Sequence, residues 1–216
     1  VPGFDTCIGC HDSHSLEVKS EACAECHGVA TVEELRGVRE PSSSKDYDGD
    51  GDMTEGIAYE IEGLQQILLA SIVNYSKEVA GLEIKYDGAT YPYFMNLEGK
   101  SYTNWTPRLL KAAYNYQVSV KDPGAYAHGG KYIIQLIYDS IEDLNAAEKL
   151  TSKVDLDVLS RDDMGHFNGA SEAWRHWDAE EYTVAAGCAT CHSAGGTIQL
   201  AAGADVTDQP AGNGHT

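Results

Sequence analysis

The stretch Cys7-Ile8-Gly9-Cys10-His11 has the form C-x-x-C-H, which recurs as Cys23-Ala24-Glu25-Cys26-His27 and as Cys188-Ala189-Thr190-Cys191-His192. This pentapeptide is typical of sites where one c-type haem is attached covalently. The two thiols add to the vinyl groups of the porphyrin, and the adjacent histidine then lies beneath the ring as the proximal iron ligand. Chance predicts about 0.006 such pentapeptides in a chain of 6 cysteines and 8 histidines, against the three present.

The motifs therefore predict three haem c groups, each held by two thioether bonds and one proximal histidine. The predicted thioether positions are Cys7, Cys10, Cys23, Cys26, Cys188 and Cys191, and the predicted proximal ligands are His11, His27 and His192. All six cysteines are used in this scheme. None remains for a disulfide bond or for a nucleophilic thiol.

A structural zinc site is the alternative for the first two motifs. Cys7, Cys10, Cys23 and Cys26 form C-x2-C-x12-C-x2-C, which is close to the spacing of sites with four thiolate ligands. Zinc leaves the third cysteine pair without a partner pair, and it does not explain why a histidine follows every pair. Haem is therefore the preferred interpretation, and a haem absorption band distinguishes the two.

Charge and hydropathy limit the classes of partner. The 216 residues carry a formal net charge of −19. Phosphates are repelled by such a surface, so we expect no nucleic-acid binding, and basic redox partners suit it best. No segment approaches the ~18 to 20 apolar residues of a membrane-spanning helix, and the most apolar stretch, residues 67–73, is short.

The expected location is outside the cytoplasm. The start Val1-Pro2-Gly3-Phe4 is typical of a processed chain, and haem c is generally attached after export. We therefore expect a precursor with a leader and a mature protein that is extracellular, periplasmic or on the cell surface.

The apolar pattern predicts a mainly α fold with extensive loops, packed around haem, with little β-sheet. We expect one domain over residues 1–200, followed by a small, polar tail over 201–216. Residues 1–30 hold two motifs and little else, so we expect them to fold around porphyrin. The predicted helices run from Thr54 to Gly81, from Pro107 to Asp122, from after Gly130 to Leu144, and briefly from Ser171 to Trp177.

The caps and loops follow from local residue types. Thr54 followed by Glu55 suits a helix N-terminus, and Thr106 followed by Pro107 suits another. Residues 41–53 are predicted as a loop. Residues 82–104, rich in Tyr and Gly, are predicted as loop with a short hairpin.

The histidines outside the motifs determine whether each iron has a distal ligand or a free coordination position. Three distal ligands are needed, and five histidines remain: His14, His128, His166, His176 and His215. We set His215 aside because it lies in the polar tail. An iron with imidazole on both faces passes electrons and has no position for a substrate, so this supply disfavours an enzyme.

Each candidate distal ligand has its own setting. His14 lies three residues after His11, too close to reach the far face of the same haem, so we expect it to ligate a neighbouring haem, in its own chain or in another subunit. His128 follows a Pro-Gly turn, His166 follows a glycine, and His176 lies between two tryptophans. For each, a surface or core histidine bonded to a propionate is the alternative.

An acidic stretch forms a candidate calcium site. Asp46, Asp48, Asp50 and Asp52 alternate, with Gly51 at the sixth place of a loop that begins like an EF-hand. The twelfth place holds Ile57 instead of glutamate, so Glu55 or Glu60 would have to close the site. A plain solvated acidic turn is the alternative.

Several longer runs resemble one protein family. The carrying segments are Tyr91-Pro92-Tyr93-Phe94, residues 106–117, residues 121–128, Gly165-His166-Phe167 and Arg175-His176-Trp177-Asp178. Over residues 46–192 the chain resembles secreted multihaem c-type cytochromes of metal-reducing bacteria and archaea. The resemblance implies that His128, His166 and His176 ligate or contact haem, and that Asp48, Asp50 and Asp52 form a metal loop.

More broadly, the chain is similar to the subunits of extracellular cytochrome filaments, which carry four or more haems where this chain has three motifs. In such filaments a histidine of one subunit can ligate a haem of the next, and His14 is similar in placement to such a ligand. The sequence thus predicts an electron-transfer protein that forms a conductive homopolymer and meets redox proteins or extracellular acceptors. The alternatives are a monomeric periplasmic shuttle and a multihaem oxyanion reductase.

Overall fold

The fold is built from helices, as a computed structural model of the chain shows for residues 6–39 and 45–161. The chain divides into two units, Val1–Asp163 and Met164–Thr216, and all described residues belong to the first. In chain order the elements are α1 (Cys7–Cys10), α2 (Glu21–His27), α3 (Val32–Arg36), α4 (Ile57–Glu78), β1 (Ile84–Tyr86), β2 (Phe94–Asn96), α5 (Pro107–Lys121), α6 (Ala125–Asn145) and a 3-10 turn (Leu156–Val158). The predicted mainly α class is confirmed.

Helix α4 is the centre of the core. Its residues Ile61, Leu64, Leu68 and Ile72 are at most 3% exposed, and they pack between α5 and α6. The predicted apolar face is therefore confirmed. Burying four such side chains contributes about 1.5–3 kcal/mol each relative to leaving them in water.

The predicted start of α4 is wrong by three residues. Thr54 does not cap the helix, because its hydroxyl and its backbone NH both bind the carboxylate of Asp52, at 2.6 and 2.8 Å. Gly56, in extended conformation, is the N-cap instead. A side chain at Gly56 would overlap the backbone carbonyl of Arg36, so only glycine lets the preceding segment pass this closely.

Helix α5 begins and ends as predicted. The Thr106 hydroxyl accepts a hydrogen bond from the backbone NH of Leu109 at 3.1 Å, and Pro107 occupies the first helical position. The helix ends at Lys121, with Asp122 as its C-cap.

Helix α6 starts earlier than predicted. The carbonyl of Gly124 accepts hydrogen bonds from the backbone NH groups of Ala127 and His128, so a helical turn forms before the two glycines. Gly129 then takes φ 146° and kinks the helix, a conformation that side chains rarely allow. His128 therefore lies within the first turn of α6, not ahead of it.

The predicted hairpin is also present. Strands β1 and β2 pair antiparallel, with Ile84 opposite Asn96. Tyr86 and Phe94 contact Tyr116 of α5, and Phe94 meets Trp105 edge-on with ring centroids 5.8 Å apart. The hairpin thus covers one side of the helical core with aromatic rings.

One ion pair connects the N-terminal segment to the core. Glu60 of α4 is fully buried, and its carboxylate binds the guanidinium of Arg39, whose side chain is 8% exposed. The second carboxylate oxygen accepts hydrogen bonds from the backbone NH of Tyr47 at 2.8 Å and of Asp48 at 3.3 Å. Helix α4, the acidic loop and the chain before it therefore meet at Glu60.

We predict that Glu60→Gln destabilises the fold strongly. The substitution removes the carboxylate charge that faces the buried guanidinium of Arg39, and breaking comparable buried pairs costs about 3–5 kcal/mol. Guanidinium unfolding of the haem-loaded protein, followed by far-UV circular dichroism, measures the change. The control is Glu98→Gln, which removes an exposed pair with Lys100 and costs about 0–1 kcal/mol. Equal effects of the two variants would contradict the prediction.

Candidate haem sites and acidic loop

The first motif forms a short helix with its thiols on one face. Cys7 and Cys10 begin and end α1, so they lie three positions apart on the same side of the helix. Cys7 is exposed and Cys10 is half-buried. Both thiols are therefore free to react with a group that covers this face.

His11 is held in the form that binds a metal. Its Nδ1 lies 2.8 Å from the carbonyl oxygen of Leu16, which can only accept a hydrogen bond. In the neutral imidazole Nδ1 therefore carries the proton, and Nε2 keeps the lone pair that can bind a metal ion. The sequence analysis missed Leu16, whose carbonyl is brought here by a tight turn with φ 62° at that residue.

The second motif lies on α2. Cys23 and Cys26 are again three positions apart, and the helix ends after His27 at Gly28, which adopts φ 67°. Burial raises the pKa of the Cys23 thiol, and the nearby Cys10 and Glu21 add to this. Cys10 and Cys23 therefore lie near each other, and α1 and α2 are in contact.

The four cysteines of the first two motifs are separate from the metal-binding clusters of the described part of the chain. Cys7, Cys10, Cys23 and Cys26 form no disulfide bond. Within residues 6–39 and 45–161, every cluster of three or more metal-binding side chains with ligand atoms inside 4.8 Å consists of carboxylates. The four cysteines make no such cluster within these ranges.

His128 lies beside the first motif. Its ring centroid is 6.0 Å from that of His11, with an angle of 49° between the ring planes. Its Nδ1 binds both carboxylate oxygens of Asp122, at 2.9 and 2.8 Å. Asp122 entered the sequence analysis only as a helix stop, since its distance to an imidazole six residues later depends on the turn between them.

His14 lies on an exposed turn. The carboxylate of Asp12 accepts hydrogen bonds from the backbone NH groups of His14 and Ser15, both at 2.9 Å, and these bonds lower the pKa of Asp12. The turn thus presents the His14 side chain to solvent. The remaining predicted haem residues, Cys188, Cys191, His192, His166 and His176, lie outside the described residues.

The acidic loop brings two groups of carboxylates together. Oxygens of Asp46, Asp48 and Asp50 lie within 4.8 Å of one another, and so do oxygens of Asp48, Glu55 and Glu60. Asp52 belongs to neither group, because its carboxylate binds Thr54, which lowers the pKa of Asp52. The sequence named Glu55 or Glu60 as a closing ligand, and the fold brings both to Asp48.

Burial disfavours the charged form of two of these carboxylates. It raises the pKa of Asp48 to about 6, and the nearby Asp50, Glu60 and Asp46 add to the rise. Burial also raises the pKa of Glu55 to about 7, with Glu60 and Asp48 the largest neighbouring causes. Oε1 of Glu55 is buried and accepts no hydrogen bond from any residue that the structure describes.

Helices of the described ranges are too short or too polar to cross a bilayer.

Comparison with known proteins finds one kind of relative. The chain is 27% identical over 185 residues to the C-type polyheme cytochrome OmcB of two strains of Geobacter sulfurreducens. The match covers 66% of this chain but 21% of OmcB, so the chain spans about a fifth of the length of these relatives. No protein-family profile and no solved structure matches. The chain is therefore similar to part of a C-type polyheme cytochrome.

Proposed function

We propose that this chain is a trihaem c-type cytochrome with histidine on both faces of each iron, and that it polymerises into an extracellular conductive filament. The observation that carries the haem assignment is the first motif. Its two thiols share one face of α1, and the hydrogen bond to Leu16 leaves Nε2 of His11 ready to bind iron.

In this proposal the cysteines attach the porphyrin and the histidines bind its iron. When bound, haem supplies reversible one-electron chemistry at its iron. The cysteine pairs fix the porphyrin to α1, to α2 and to the third motif. His11, His27 and His192 would each bind one iron, and the distal histidines would exclude water and substrate from it.

The proposed polymer rests on His14. This side chain is exposed on a turn that the carboxylate of Asp12 holds in place, so it projects from the surface beside the first motif. An imidazole in that setting is free to bind a haem iron of a neighbouring subunit. Such a bond would join the subunits and bring their haems close together along one path.

A monomeric shuttle is the second candidate. The net charge of −19 favours it, because like-charged chains repel each other and attract basic redox proteins. Its signature is partner binding that weakens as salt is raised. An oxyanion reductase instead needs an iron with an open face, which would give a high-spin spectrum.

We further propose that the acidic loop binds one calcium ion. Two features support this: two groups of converging carboxylates, and the buried Oε1 of Glu55 that lacks a partner within the described ranges. Converging carboxylate oxygens suit Ca²⁺, which binds six to eight oxygen ligands. The ion would fix the loop against the start of α4.

The haem count tests the main proposal. We expect intact-mass spectrometry and the pyridine haemochrome assay to give three haems per chain. The double variant C23S/C26S removes both thioether positions of the second motif, so it should lose one haem. A colourless wild-type protein, or four thiolates bound to zinc, would overturn the assignment.

Electron microscopy of the purified wild-type protein and of His14→Ala tests the polymer. We expect filaments from the wild type and separate particles from the variant, with three haems per chain in both. Ser13→Ala is the matched control, since Ser13 lies on the same exposed turn and has no imidazole. Wild-type protein that stays monomeric at high concentration argues for the shuttle.

Calorimetry with Ca²⁺ tests the acidic loop. We expect one binding site, and a gain in unfolding free energy of about 2.7 kcal/mol at a calcium concentration of 100 Kd. The variant D48N/E55Q should lose both effects because it removes two ligands. Asp157→Asn, an exposed acid of the 3-10 turn, should keep them. Equal binding by the two variants would rule out the loop as the site.

A further inference from the structure

The distance between two imidazoles suggests a metal ion between them. His11 follows α1 and His128 lies in the first turn of α6, so the fold brings them together from distant parts of the chain. Their ring centroids are 6.0 Å apart. Two imidazoles that bind one metal from opposite sides have centroids roughly 6 Å apart, since each metal–nitrogen bond is about 2.0–2.1 Å and the ring centre lies ~1.2 Å further on. The observed separation therefore matches a pair with one iron between its members.

The protons of both rings are placed for this role. Nδ1 of His11 donates to the carbonyl of Leu16, and Nδ1 of His128 donates to the carboxylate of Asp122. Neither acceptor has a proton to give, so in the neutral imidazole each ring carries its proton on Nδ1 and its lone pair on Nε2. A metal-binding histidine typically donates its other ring NH to such a carbonyl or carboxylate.

The turn between α5 and α6 is shaped around the His128 ring. The carboxylate of Asp122 also accepts a hydrogen bond from the backbone NH of Gly124 at 2.9 Å, so one side chain holds both the turn and the imidazole. A Cβ atom at Gly124 would lie 2.7 Å from Cε1 and 3.0 Å from Nε2 of His128. A glycine at this position therefore lets the ring lie flat against the backbone.

A plain surface ion pair is the competing explanation. The side chains of His128 and Asp122 are 53% and 35% exposed, and exposed pairs of this kind form without a ligand. An ion pair alone accounts for neither the second imidazole at 6.0 Å nor the matching hydrogen bond on the His11 ring. The two histidines are arranged alike, and a shared ligand explains both.

We infer that His128 is the distal ligand of the haem attached at Cys7 and Cys10, and that Asp122 is its positioning residue. This inference rests on the proposed haem attachment. The carboxylate of Asp122 makes the imidazole a stronger donor, which favours ferric iron and lowers the reduction potential of this haem. With both faces of the first haem closed from within one chain, His14 remains for another iron.

Two variants of the haem-loaded protein test the inference. His128→Ala should keep three haems per chain by mass while one of the three changes from low spin to high spin in electron paramagnetic resonance. Asp122→Asn should keep all three haems low-spin and shift one reduction potential to a more positive value. Asp157→Asn, which removes the same charge elsewhere, should leave the three potentials unchanged.

The possible outcomes distinguish a failure of this inference from a failure of the proposed haem attachment on which it rests. Fewer than three haems in the wild-type protein would overturn the haem assignment itself. Three haems that all stay low-spin in His128→Ala would overturn the pairing and leave the assignment standing. If that variant does not accumulate, His128→Met decides, because a methionine ligand raises one potential and adds a methionine–iron absorption band. If all three haems of His128→Met keep their wild-type absorption spectra, the pairing of His128 with the first haem is contradicted.

Discussion

The buried ion pair of Arg39 with Glu60 is the interaction on which the placement of both candidate sites depends. The N-terminal segment, residues 6–39, has a small apolar contribution to the core: of its described residues, Val29 and Leu35 are the buried hydrophobic ones. Its position therefore depends on polar contacts with the helices and, under the proposed function, on the haem groups that it would hold. Arg39 also donates to the carbonyl of Glu55 at 3.0 Å, so the same side chain fixes the loop whose carboxylates converge beside α4. A charge this deeply buried is tolerated only because its partner and several hydrogen bonds surround it.

Local chemistry explains which parts of the fold follow from the sequence. The two residues Thr106 and Pro107 are enough to predict the start of α5. The apolar spacing of α4 can also be recognised without knowledge of any distant contact. The start of α4 was misjudged because Asp52 competes successfully for the hydroxyl and the NH of Thr54. The start of α6 was misjudged because two glycines suggest a break, whereas here one of them bends a helix that has already begun.

The candidate sites likewise include features that local sequence determines and features that depend on distant contacts. The C-x-x-C-H motifs are local, so their chemistry can be recognised from five residues. The hydrogen bond from His11 to Leu16 depends on a left-handed residue in a turn, and nothing in the residue types between them requires that conformation. The approach of His128 to His11 depends on how α6 packs against the N-terminal segment, which no local pattern encodes. Asp52 was a natural candidate ligand by alternation, yet Glu55 and Glu60 reach Asp48 because the loop folds back onto the first turn of α4.

The acidity of the chain bears on how subunits could associate. With a formal charge of −19 and two propionates added per haem, two copies repel each other at long range, and salt only weakens that repulsion. Association then needs a short-range bond strong enough to offset it and directional enough to fix one geometry. A histidine–iron bond across the interface meets both needs, since it forms at one distance and along one axis. A chain that closes its first haem internally through His128 and presents His14 outward would keep its own fold when separated from its neighbours. Stability of the subunit and cohesion of the polymer would then depend on different imidazoles.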